Sequence, residues 1–274
     1  MKDILLEILL TIQGVGAASG LLYQENRITI VSDNSNYLYQ YQISEETLKR
    51  TRLIDGPYGE AVPKKEKSDF EAITPVGKDL YIFGSGSGQK RNSLIKYSLK
   101  KGTKDSLDMS AHFSSLRDRF AIDAGDFNIE GALAIGRELW LFNRGNGPAA
   151  KNGIFVLDKN SLAPKGFFPI ALPPLQGVAT GFTDVTRVDE QIDFIDAAED
   201  SNSSYDDGQR KGTLIGRIDP KSKQLIYTRT ISLKNKFEGI ACYEKGRKTL
   251  DFLLCEDQDN GSSSSDIYRL RIER

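Results

Sequence analysis

One short phrase recurs along this chain at near-regular spacing, and it limits the fold more than any single residue does. Its cleanest copy is Phe237-Glu238-Gly239-Ile240-Ala241. Phe70-Glu71-Ala72-Ile73-Thr74, Ile129-Glu130-Gly131-Ala132-Leu133 and Phe182-Thr183-Asp184-Val185-Thr186 repeat its pattern. A degenerate copy opens at Ala18-Ser19-Gly20-Leu21. Counted at the second position of the phrase, the steps are 52, 59, 53 and 55 residues, so five units fill the chain. A turn follows each copy, then an alternating run (28–31, 80–83, 139–142, 192–195 and 250–253), a Gly/Ser/Asn loop and a third run, which together read as hairpins in series.

Such units cannot bury their apolar faces alone and stack into one body, so residues 1–274 are expected to form a single domain. Fourth strands fit 48–54, 106–110, 166–172 and 225–233, but the last unit ends after three. The Ile/Leu-rich stretch 4–11, which has no hairpin partner nearby, supplies the missing outer strand and closes the ring. The expected fold is all-β: a five-bladed β-propeller of four-stranded blades, with the N-terminal strand joining the last blade. A β-sandwich is the rival, but it gives no reason for an acidic phrase at regular intervals. The period of about 54 exceeds the roughly 40–45 residues of WD40 repeats, whose Gly-His and Trp-Asp signatures are absent. Two connections are long, 55–69 and 111–128, and the second has room for a short helix near 115–119.

Charge bounds the partners. A net charge of −1 argues against nucleic acid, and no apolar run reaches the roughly 20 residues of a membrane span, so neither nucleic acid nor membrane is expected. Met1-Lys2 before 4–12 and the small residues Ala17-Ala18-Ser19 faintly resemble a signal peptide, although Glu7 interrupts the apolar stretch; a structural strand is the preferred reading. A hairpin turning near Gly246 would set Cys242 opposite Leu250, about 16 Å along the strand from Cys255, so no disulfide is expected. Free thiols point towards the cytoplasm, with secretion or the periplasm left open, and a monomer is expected.

In a propeller the inner strands line the central channel, so the phrase sets Ser19, Glu71, Glu130, Thr183 and Glu238 in a ring at one mouth. Unit charges of like sign 4 Å apart repel by about 4 kcal/mol at an effective dielectric of 20, so protons or a cation must offset the three glutamates. Oxygen side chains suit a hard ion, Ca²⁺ before Mg²⁺, and no recurring His or Cys supports zinc. Asp184, one residue out of register, is an alternative to Thr183. Loops around the same mouth carry Asp33 and Asn34, Lys90 and Arg91, Asn143, Arg144 and Lys151, Glu199, Asp200, Arg210 and Lys211, and Glu256, Asp257 and Asp259. A cation ringed by Lys and Arg suits a phosphate-bearing small molecule. The bland alternatives are glutamates that cap strand amides or pair with lysines, and loop charges that face only water. Gly84 to Arg91 lacks the Lys placement and helix of a phosphate loop; the stretch 257–261 misplaces the Gly of a calcium loop. The lone His112 reads as structural.

The order Ser, Glu, Glu, hydroxyl, Glu, with Lys236-Phe237-Glu238-Gly239-Ile240 in the last blade and Gly181-Phe182-Thr183 in the fourth, resembles the calcium-activated soluble apyrases. The repeated Glu-Gly phrase is also similar to the phytase-like propeller domains. The resemblance implies a central Ca²⁺ held by Ser19, Glu71, Glu130, Thr183 and Glu238, and hydrolysis of phosphoanhydride or phosphoester bonds. Ser32-Asp33-Asn34 falls where those apyrases have an Asp-Asp-Arg stretch, so Asp33 matches and the arginine does not. On this reading Asp33 or Glu130 orients water, and Lys90, Arg91, Arg144, Arg210 and Lys211 hold substrate. A non-catalytic propeller binding a small ligand or a protein at the same mouth is the alternative.

Overall fold

The computed structural model describes residues 4–200, 209–256 and 263–273, excepting the side chains of Asp200, Gln209 and Arg210. Strand β1 (Ile4–Gln13) precedes the first blade, which consists of β2 (Ala18–Gln24), β3 (Arg27–Ser32), β4 (Tyr37–Gln42) and β5 (Thr47–Arg52). Blade two has β6 (Phe70–Val76), β7 (Asp79–Gly84), β8 (Ser93–Ser98) and β9 (Lys104–Asp108), and blade three β10 (Ile129–Ile135), β11 (Glu138–Asn143), β12 (Gly153–Asp158) and β13 (Pro164–Pro169). Blade four has β14 (Thr180–Val188), β15 (Gln191–Asp200), β16 (Gln209–Ile218) and β17 (Leu225–Ser232). Blade five has β18 (Phe237–Lys245), β19 (Thr249–Glu256) and β20 (Ser264–Glu273), and β1 is its fourth strand, antiparallel to β20 from Ile4 opposite Ile272 to Gln13 opposite Ser264. The five-bladed ring and its closure are as the repeat predicts. Pairing with β1 leaves β20 no open edge, the physical reason for the arrangement.

Side chains alternate across each strand, so both faces of a blade feed apolar layers shared with its neighbours. Between blades three and four, Phe142 meets Phe182 at 5.4 Å and Phe182 meets Phe194 at 4.9 Å, both edge-on. The long connection before blade three folds into α1 (Ser110–Phe120), longer than the sequence suggests. Asp108 starts it by accepting the Ser110 backbone amide (2.8 Å) and hydroxyl (2.6 Å), while Phe113 and Leu116, one helical turn apart, bury against blades two and three.

The recurring phrase has a structural meaning that its composition does not disclose. Each inner strand carries a β-bulge at that point: between Ala18 and Leu21, Phe70 and Ala72, Ile129 and Gly131, Phe182 and Asp184, and Phe237 and Gly239. A bulge inserts one unpaired residue and re-aims its side chain, here Glu71, Glu130, Thr183 and Glu238, with Ser19 in the equivalent place. The small residue beside it lets inner strands approach. A Cβ on Gly20 would lie 2.9 Å from the Glu71 carbonyl, and one on Gly131 2.9 Å from Val185. A further bulge between Cys242 and Glu244 shifts the last hairpin, so Cys242 faces Phe252 rather than Leu250 and Cys255 faces Gly239; both cysteines are free thiols.

Candidate functional site at the channel mouth

Two chains of ion pairs run round the mouth. The first lies on blades one and two: Lys67, from the 55–69 connection, sets its ammonium between Asp33, with which it makes a short contact, and Asp69 (2.8 Å). Asp69 also accepts from Arg91 (2.9 Å) and Ser85 (2.5 Å). The second chain crosses blades three to five. Arg144 reaches Glu130 (3.4 Å) and Glu199 (3.1 Å), and Lys236 reaches Glu199 (3.1 Å) and Glu238 (2.8 Å), while Asn128 donates to Glu130 (2.6 Å). Burial and the flanking carboxylates act on these groups in opposite senses. For Arg144 and Lys236 the carboxylates win and both stay firmly charged, as does Lys67 beside Asp69 and Asp33.

Glu71 stands between the chains and joins neither. It makes no ion pair or hydrogen bond among the described residues, and its carboxyl is held well above the usual range by burial, then by the charges of Glu130, Asp69, Asp33 and Glu238. Oxygen atoms of Asp33, Asp69 and Glu71 all lie within 4.8 Å of one another. Burial lifts Asp33 to about 6 against the pull of Lys67, and Glu130 to about 7 against the pull of Arg144. Two further oxygens are orphaned: the Ser19 hydroxyl, on a fully buried residue, and Asp33 Oδ1. Among the described residues, Lys67, Arg91, Arg144 and Lys236 thus pair with Asp33, Asp69, Glu130, Glu199 and Glu238, and Glu71 is left without a cation.

Blade four contributes ties. The Thr183 hydroxyl donates to the Phe237 carbonyl (2.8 Å). Asp184 accepts the backbone amides of Ile240 (2.8 Å), Leu21 (3.4 Å) and Val185 (2.7 Å), so one carboxylate links the inner strands of blades four, five and one. Of the residues expected to hold substrate, Lys90 sits on the outer rim, its side chain 62% exposed and paired with Glu66 at 3.0 Å. Arg91 and Arg144 lie within the mouth but are taken up by carboxylates. Lys211 leaves its backbone carbonyl to Gln176 (2.6 Å). The side chains of Arg210 and Asp200, and residues Asp257 and Asp259, lie outside the described residues. Lys67 and Asp69 were not among the residues expected from sequence; the signal was the position two before the bulge, where Asp69, Asn128 and Lys236 all serve the mouth.

The model of a family of unknown function, DUF6929, matches residues 14–272. Among curated proteins there is no match. Among solved structures, the fold is similar to the Malassezia sympodialis allergen Mala s 1 (TM-score 0.60, 12% identity, 95% of each chain). It is also similar to Myxococcus xanthus glutaminyl cyclase (0.58, 11%, 99% of this chain and 98% of that one). A PQQ-bound aldose sugar dehydrogenase from Streptomyces coelicolor is a third (0.54, 10%, 100% and 99%). At these identities the likeness concerns the fold. No helix among the described residues is long and apolar enough to cross a membrane.

Proposed function

For a chain that belongs to the DUF6929 family of unknown function, we propose a binding propeller whose mouth holds one divalent cation, Ca²⁺ first, and through it a small anionic ligand. The observation that carries this reading is the unpaired Glu71 among acidic neighbours, with the orphaned Ser19 hydroxyl and Asp33 Oδ1 beside it. The donors are all hard oxygens, which suit such an ion, and its charge offsets the crowded carboxylates. Because Asp69 is satisfied by Lys67, Arg91 and Ser85, the protein supplies few free oxygens, and a cation taking about six to eight keeps positions for water or a ligand oxygen. Arg91 and Arg144 are occupied, so the cation rather than a basic side chain meets the anion.

Calcium added to chelator-treated protein should raise its melting temperature, since saturation at a hundredfold excess over Kd stabilises the fold by about 2.7 kcal/mol. Glu71→Gln and Ser19→Ala should each weaken that response. Calorimetric titration that shows no calcium binding to the folded protein would sink the reading.

A second reading, hydrolysis of phosphoesters or phosphoanhydrides, is favoured by the carboxyl groups of Asp33 and Glu130, lifted to about 6 and about 7, the range in which a carboxyl exchanges protons near neutrality. When bound, the cation would polarise the phosphate. Phosphate release from nucleoside diphosphates, inositol phosphates and aryl phosphates, with and without calcium, separates the readings: calcium binding without turnover leaves the binding propeller.

A further inference from the structure

The blades carry corresponding residues in the third row from the turn that joins their first two strands, and in four of the five a partner side chain, from the same blade or the next, covers the row. In blade two Lys96, opposite Tyr81, lies 5.1 Å above its ring. In blade three Trp140 sits opposite Val156, covered by Lys223 at 4.6 Å. In blade four Arg217 bonds Asp193 (2.8 Å) and stacks on Tyr227; in blade five Arg271 bonds Asp251 through two nitrogens, both at 2.8 Å.

Blade one breaks the pattern. Its row reads Leu22, Thr29, Gln40 and Lys49 across the four strands, and the two central side chains neither pair nor stack. A cavity of about 360 Å³ opens there, between blades one and two and towards the face opposite the acidic mouth. Pro75, Leu80 and Leu99 form an apolar wall on blade two, where Tyr97 also borders it. Thr29 and Gln40 are each 8% exposed and Tyr97 3%, yet no hydrogen bond joins the Thr29 hydroxyl, the Gln40 amide or the Tyr97 hydroxyl to any described residue. The polar atoms of these side chains open on the cavity, where water or a ligand can bond them. At the rim, Lys49 has no ion pair among the described residues, and Arg27 reaches only Gln42 (3.3 Å).

We propose that this inter-blade cleft is a second binding site, for a small organic anion with a compact apolar body. The body lies against Leu80 and Leu99, the polar edge meets Gln40 and Thr29, and the carboxylate or phosphate meets Lys49. The volume lies at the small end of the roughly 300–1,000 Å³ of small-molecule sites. Neither the cation nor the acidic mouth takes part.

The test is a titration of the whole protein, in chelator, with benzoate, hexanoate and phenyl phosphate against the uncharged benzamide and hexanamide, followed by protein NMR shifts. At least one anion should bind saturably with a Kd of about a millimolar or below, and at least about threefold more tightly than the uncharged probes. Benzoate and phenyl phosphate rank the two head groups. Gln40→Leu should weaken binding about tenfold; Thr29→Val, which keeps the side-chain shape, should weaken it by less, and Lys49→Met should erase the preference for anions. No saturable shift from any probe, equal binding of the amides, or full binding in folded Thr29→Val and Lys49→Met would each overturn the proposal.

Discussion

The two halves of the channel mouth use the same residue types to different ends. Across blades three to five, Glu130, Arg144, Glu199, Lys236 and Glu238 alternate in sign, and each carboxylate touches a cation within 3.4 Å. Across blades one and two, Lys67 and Arg91 pair with Asp33 and Asp69, yet Glu71, the Ser19 hydroxyl and Asp33 Oδ1 are left over. A completed chain of buried pairs fixes neighbouring blades against each other and has little left to offer a ligand. An incomplete one carries a local excess of charge that an ion from solution can offset. Acidity alone therefore does not mark the proposed site; what marks it is Glu71, which has no counter-ion among the described residues.

The comparison can be broken most forcefully at Arg144. Arg144→Met leaves Glu130 and Glu199 short of a buried partner and should cost about 3–5 kcal/mol in denaturant unfolding. A loss under about 1 kcal/mol would mean that the paired half is not architectural. Next comes Asp196, which is buried in blade four with neither carboxylate oxygen hydrogen-bonded, while the Thr180 hydroxyl beside it donates to Pro173 (2.9 Å). Burial lifts its carboxyl to about 7. A carboxyl raised on folding binds more protons in the native state, so this group's stabilisation is complete below its unfolded value near 4 and is lost as pH rises through about 7. Asp196→Asn should therefore stabilise the protein at pH 8 by a few kcal/mol, flatten that part of its pH profile, and leave the calcium response intact. Loss of the response would show that an unpaired carboxylate outside the acidic group suffices, and the contrast would fail.

Glu71→Gln should have a smaller effect, a gain of about 1 kcal/mol in chelator as like-charge repulsion is relieved, together with the loss of stabilisation by calcium. Thermal melts with and without calcium measure both. Lys90→Ala should change stability by less than about 0.5 kcal/mol and leave calcium affinity untouched, because its pair with Glu66 is solvent-exposed.

The fold was readable because the backbone bulges wherever the phrase repeats, so one local constraint was written five times. The places of Ser19, Glu71, Glu130, Thr183 and Glu238 on the inner strands were readable for the same reason. Their counter-ions were not. Lys67 arrives from an irregular connection and Glu199 from the end of a second strand, so their proximity to Asp33 and Lys236 depends on how blades turn about the axis, which no spacing encodes. The shift at Cys242 was hidden because a bulge and the turn together move the register, and alternation of apolar residues survives that move. The polar cleft is not legible in the sequence because Thr29 and Gln40 look ordinary in an alternating strand; only their counterparts in four other blades show what is missing.

The carboxylate of Asp184 bonds Leu21, 163 residues earlier in the chain, and Ile240, 56 residues later. The first of these contacts cannot form until the chain between them has been drawn into a loop, and β1 must likewise wait for β20, whose Asp266 lies 255 residues beyond the Thr11 that bonds it. Closing loops of this length is slow because entropy is lost before any contact repays it, so ring closure belongs to the final stage of folding. Once made, these contacts act as a latch on the finished ring: weakening the Asp184 tie should hasten opening far more than it delays assembly.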